Sequence, residues 1–148
     1  MSNSARNFFT PDQLEEIKEA ILNAELDTSG EIRVHIENNC PGDVMVRAAR
    51  VFKTLKMSET KLRNGVLIYL AIRNRKFAIL GDSGIHAVVG ENYWEHIKVH
   101  MLDQFREGRF TEGLAEAILD TGKQLKLFFP HDKDDINELP DDVSFGKD

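Results

Sequence analysis

Residues 65–72 read GVLIYLAI, an unbroken apolar run of strand length. A strand with one wet face alternates polar and apolar residues, so a run without alternation belongs to a strand covered on both sides. Covering both faces of a sheet takes at least three layers. A short polar loop follows, and residues 77–80 (FAIL) supply an antiparallel partner. This hairpin sets the centre of the sheet. The same run is far shorter than the roughly 20 residues of a membrane span, and the chain has no longer one.

The flanking segments supply the layers. Thr10 begins a capping box with Gln13, Pro11 suits the first helical turn, and Phe9 can staple onto Leu14. Leu14, Ile17, Ile21 and Ala24 then recur at helical spacing up to a Thr28-Ser29-Gly30 turn. Residues 31–37 alternate strictly, with Ile32, Val34 and Ile36 on one face and Glu31, Arg33, His35 and Glu37 on the other, which predicts a strand with a polar face. Val44, Ala48, Val51, Phe52 and Leu55 form the apolar arc of a second helix, and Arg47, Arg50, Lys53 and Lys56 give it a basic outer face expected to be exposed. Residues 83–89 read as a short helix ending at Gly90. Trp94, Ile97, Met101 and Phe105 mark a third long helix stopped by Gly108. A fourth, from about Thr111, carries Leu114, Ile118, Leu125 and Phe128. The expected fold is α/β: a three-layer α/β/α sandwich with a mixed central sheet, its first two strands parallel through a right-handed crossover.

At 148 residues the chain is one domain, expected over residues 1–129, followed by an acidic tail at 130–148. The tail holds seven acidic residues against two basic, whereas residues 47–76 hold nine basic residues against Glu59 alone. That polarity suggests two readings, a solvated tail or one that masks the basic segment from an acidic partner. Cys40 is the single cysteine, so no intrachain disulfide forms, and residues 1–7 carry no secretory pattern; the expected location is cytoplasmic. The dinucleotide GxGxxG spacing and the phosphate-binding P-loop are absent, and the basic segment lacks the interleaved aromatics of a nucleic-acid platform. A protein partner is expected, with neither nucleic acid nor membrane insertion.

Four blocks, residues 28–37 (TSGEIRVHIE), 63–72 (RNGVLIYLAI), 76–85 (KFAILGDSGI) and 105–114 (FREGRFTEGL), resemble the TPM domain family in the same order, and the resemblance runs over roughly residues 8–129. It implies an α/β/α sandwich, in agreement with the reading above. Members have been described variously as weak acid phosphatases, as calcium binders, and as assembly or repair factors, so the resemblance implies a binding or assembly module in protein maintenance or stress response, with weak metal-assisted phosphatase activity as the alternative. Two departures weaken the chemistry. Arg63 stands before Asn64-Gly65 where the family carries an acidic residue, and His86 followed by Glu91 replaces an acidic pair. Losing carboxylates removes hard oxygen ligands, which argues against a family-type calcium site.

Candidate chemistry gathers on one strand face and one turn. His35, Asp82 and His86 can act as acid, base or metal ligands. Glu31, Arg33, Asn64, Ser83 and Glu91 are candidate binding residues around them, with Arg33 able to hold an anion. The competing reading is that Asp82 or Ser83 merely caps the short helix and that the strand residues pair as a solvated face. His96, His100 and Asp103 fall on one helical stripe. Such a stripe can bind zinc adventitiously but cannot close a tetrahedral site alone. No residue set commits to a cofactor; a divalent metal, calcium or zinc, is the class these residues would take. Cys40 lacks the arginine that a cysteine-phosphatase loop needs six positions later, since Val46 stands there.

Overall fold

The computed structural model describes residues 4–130 and 143–146. Its sheet has four strands in the order β3-β2-β1-β4. The strands are β1 (Glu31–Glu37), β2 (Gly65–Ala71), β3 (Lys76–Gly81) and β4 (Val143–Phe145). β1 pairs parallel with β2, Ile32 opposite Val66 and Glu37 opposite Ala71, and β3 returns antiparallel to β2. Every residue of β2 is buried, as its unbroken apolar run requires.

Among the described residues six α-helices flank the sheet: α1 (Ala5–Phe8), α2 (Pro11–Glu25), α3 (Val44–Thr54), α4 (Ser83–Val89), α5 (Glu91–Arg106) and α6 (Phe110–Phe128). The capping box closes at α2, where the Thr10 hydroxyl accepts from the Gln13 amide and the Gln13 side chain accepts from the Thr10 amide. Ile32, Val34, Ile36, Val66, Ile68 and Leu70 face α2, α5 and α6 in the larger core. Leu67, Tyr69, Ala71 and Ala78 face α3 through Ala48, Val51 and Phe52 in the smaller one. The three-layer mixed sandwich expected from the sequence is the observed architecture.

Two expectations fail. β1 has no solvated face: Glu31, His35 and Glu37 are all buried. The basic face of α3 is not uniformly exposed either, because Arg47 turns inward onto Glu37. The segment read as an acidic tail also contributes to the sheet. Residues 143–145 form β4, parallel to β1 with Ser144 beside His35, and Pro130 bridges Thr28. The remainder of that tail, residues 131–142 and 147–148, lies outside the described residues, and with it most of the proposed masking contact.

Candidate functional site

The residues singled out in the sequence divide between two ends and two faces of the sheet. Asp82 follows β3, and because β3 runs against β1 and β2, the turn after it lies at the amino end of the parallel pair. The rule that ligands sit beyond the carboxyl ends of parallel strands therefore points away from it. Asp82 caps α4 by accepting from the Ser83 amide (2.7 Å), and both its oxygens also take the Arg63 guanidinium, at 2.7 and 2.9 Å. Arg63 is held on by this pairing, which raises its own proton affinity. The turn is compact because a Cβ on Gly84 would lie 2.1 Å from the Leu62 carbonyl. Beside it, Trp94 Nε1 donates to His86 Nδ1 (3.1 Å), leaving the other ring nitrogen toward Glu91 at 3.6 Å. Asn64 is buried and its amide donates to the Ser29 hydroxyl.

This donor set does not suit calcium. A hard cation needs several free oxygens. Asp82 already serves a guanidinium and a helix cap, and the Asn64 amide nitrogen is turned to Ser29.

His35 is not part of that turn. It stands on the α3 side of β1, opposite Tyr69, while His86 lies with Trp94 on the other side of the sheet. The trio Asp82, His35 and His86 is thus not brought into one site. His35 belongs instead to a buried network at the carboxyl end of β1, centred on Glu37. The Glu37 carboxylate receives the Arg47 guanidinium through both oxygens, the Tyr69 hydroxyl and His35 Nε2 (3.3 Å). Since a carboxylate only accepts, His35 donates from Nε2, and its Nδ1 meets the Ser144 hydroxyl at 2.8 Å, which also lies 3.3 Å from the Val34 carbonyl. Burial alone would raise the Glu37 carboxyl, but the bonds from Arg47, Tyr69 and His35 outweigh it and hold it at about 2. Burial lowers the His35 imidazole below its ordinary 6.5 despite the neighbouring carboxylate. Burial and the same carboxylate push the Tyr69 phenol upward. The ionised Glu37 therefore ties β1, β2 and α3 together, with β4 joined through the His35–Ser144 contact. Cys40 is buried nearby, its thiol toward the Gly42 carbonyl (3.7 Å).

On α5, His96 and His100 stack edge to face 5.0 Å apart and Asp103 pairs with Arg106. These residues form no set of three or more metal-ligand side chains among the described residues.

Sequence reasoning missed a groove. A cavity of about 490 Å³ opens at the carboxyl end of β2, between the β2–β3 hairpin and the junction of α5 with α6. Phe8, Phe77, Phe105 and Phe110 line it with Leu70, Ile72 and Leu102, and Arg73, Arg75 and Arg106 stand around it. The rings support each other: Phe105 lies 5.0 Å from Phe77 and 5.1 Å from Phe110, which lies 5.0 Å from Phe8. This is the end of the sheet where the parallel-strand rule places ligands. The phenylalanines come from three separate parts of the chain, Phe8, Phe77 and the Phe105–Phe110 stretch, so no single local motif announces the site.

A comparison with curated proteins gives no match. Among solved structures, the BA42 protein of the psychrophilic bacterium Bizionia argentinensis is 44% identical over 98% of this chain and 100% of that one, with a TM-score of 0.89. The N-terminal domain of a P. gingivalis protein shares 18% identity, covering 88% of this chain and 90% of that one, with a TM-score of 0.72. The N-terminal domain of the Corynebacterium glutamicum cg2496 protein shares 11% identity over 84% and 82% of the two chains, at 0.65. These last two share the fold. The TPM domain model matches residues 2–124, and with most of its length so matched, the chain belongs to the TPM domain family.

Proposed function

We propose that this TPM domain is a cytoplasmic binding or assembly module without strong catalytic activity, acting in protein maintenance or stress response, and that the Phe/Arg groove is the surface with which it recognises its partner. The observation that carries the reading is a contrast between two kinds of site. The groove is open, aromatic and cationic, with no carboxylate, histidine or thiol among the described residues that line it. The acid/base residues are committed to structure elsewhere, Glu37 to Arg47 and Tyr69, and Asp82 to Arg63 and the α4 cap. General acid/base work needs a group free to reach a substrate proton. Recognition needs a preformed concave surface with a few polar groups, which the groove provides.

The test pairs capture with turnover. The full chain at native salt retains a protein partner, and Leu102→Trp, which fills the groove, loses it while keeping the melting temperature. Repeated capture of nothing counts against the module. Robust hydrolysis of a generic phosphoester, abolished in Asp82→Asn and kept in Arg50→Gln, would establish the weak metal-assisted acid phosphatase instead.

A further inference from the structure

We propose that the groove binds a small amphipathic anion: an alkyl or aryl body ending in a single oxyanion, carboxylate or phosphate monoester. This names a ligand class for the same groove and rests on reading it as the recognition surface. The volume, about 490 Å³, falls in the range of roughly 300–1,000 Å³ typical of small-molecule sites. Its walls are four phenyl rings and three aliphatic side chains, which favour an apolar body.

Among the described residues, the charged ones that line the groove are all arginines. Arg73 and Arg75 lie on the exposed β2–β3 hairpin and Arg106 on the last turn of α5, and no acidic side chain among the described residues lines the groove. Guanidinium forks match carboxylate and phosphate oxygens in two-point contacts, and a cationic ligand is excluded by repulsion. The hairpin root is fixed, because the Ile72 amide donates to the Glu37 carbonyl (3.1 Å) and the Arg73 amide to the Asn38 carbonyl (2.9 Å). The backbone that carries Arg73 is therefore anchored to the end of β1. Lys76 is turned away to the Gly42 carbonyl at 2.7 Å. Arg106 also meets Asp103 at 2.9 Å, but both side chains are largely exposed, so this pair is weak and leaves the guanidinium able to share a second anion.

Apolar walls and cationic rim act on different parts of one ligand, which sets the experiment. The full chain is titrated with decanoate, decyl phosphate, decanol and inorganic phosphate, below micelle-forming concentrations, and followed by amide NMR and calorimetry. One or both decyl anions should saturably shift residues 72–77 and 102–110, and the tighter of the two identifies the headgroup source. Decanol should bind at least about tenfold more weakly, since it lacks the charge-assisted bonds. Inorganic phosphate, lacking the body, should not saturate. Arg73→Gln with Arg75→Gln should lose about tenfold for the anion and leave decanol unchanged. Equal binding of decanol and decanoate, shifts centred outside the groove, or an arginine variant with unchanged anion affinity would overturn the proposal. Should no decyl anion bind while Leu102→Trp still loses a protein partner, the ligand class is wrong and the module stands. Phosphoester turnover dependent on Asp82 would sink the module without touching the groove.

Discussion

At the residue scale, Arg47 and Arg50 occupy neighbouring positions on one helix yet do different work. Arg50 is exposed, and Arg50→Glu should change stability by no more than about 0.5 kcal/mol. Arg47 holds the buried Glu37 carboxylate, so Arg47→Glu places two carboxylates together and should cost about 3 kcal/mol or more in urea denaturation. Equal effects of the two reversals would refute the ion pair. Glu37 and His35 also fix the sign of the acid response. Both protonate less readily in the fold than in the unfolded chain, so the unfolded chain binds more protons as pH falls. The His35 contribution is complete above 6.5 and is lost as pH drops through its lowered folded value. The Glu37 contribution is complete above 4.5 and is lost on the way to about 2. That second loss amounts to about 3 kcal/mol. Denaturation midpoints measured against pH should fall in two stages, and His35→Gln should flatten the first; an unaltered profile would assign that stage to another group.

At the element scale, β4 is the least expected part of the sheet. Without it β1 becomes an edge strand, exposing unpaired backbone groups along Val34–Ile36, and the His35 ring loses its Ser144 partner. A chain ending at Pro130 should melt several degrees lower than the full chain, and amide signals of β1 should shift more than those of β3. An unchanged melting temperature would show that β4 adds nothing to the fold. The start of α2 offers a smaller test. Thr10→Ala removes the hydroxyl that accepts the Gln13 amide and should cost about 1 kcal/mol, read from the denaturation midpoint.

At the scale of the whole molecule, the charge polarity along the chain is partly neutralised by folding. Arg47 and Arg63, two of the cations in the basic segment, each meet a buried carboxylate, Glu37 and Asp82. The second pairing bears on metals. A ligand that binds only the folded state raises its melting temperature, so calcium or magnesium at millimolar concentration should leave it unchanged if Asp82 stays with Arg63. A rise of several degrees, lost in Asp82→Asn, would mean that the guanidinium yields to the cation.

The sequence alone determined the elements and the layering, because those depend on local periodicity and caps: the alternation at residues 31–37, the unbroken run at 65–72 and the Thr10 capping box each report on a few neighbouring residues. Short-range pattern also carried Asp82 as a cap. The tertiary structure decided which polar residues meet. Period two places Glu37 on the polar face of β1, but nothing local says that Arg47 and Tyr69 will close over that face and make it buried. It separated His35 from His86 by a sheet, since strand parity and helix side are set only when the layers pack. It made a strand of residues 143–145, too short for a periodic signal, through pairing with β1. And it assembled the groove from Phe8, Phe77, Phe105 and Phe110, residues whose apolar character was legible in sequence and whose common cavity exists only because α1 and α5 end, and β3 and α6 begin, at one end of the sheet.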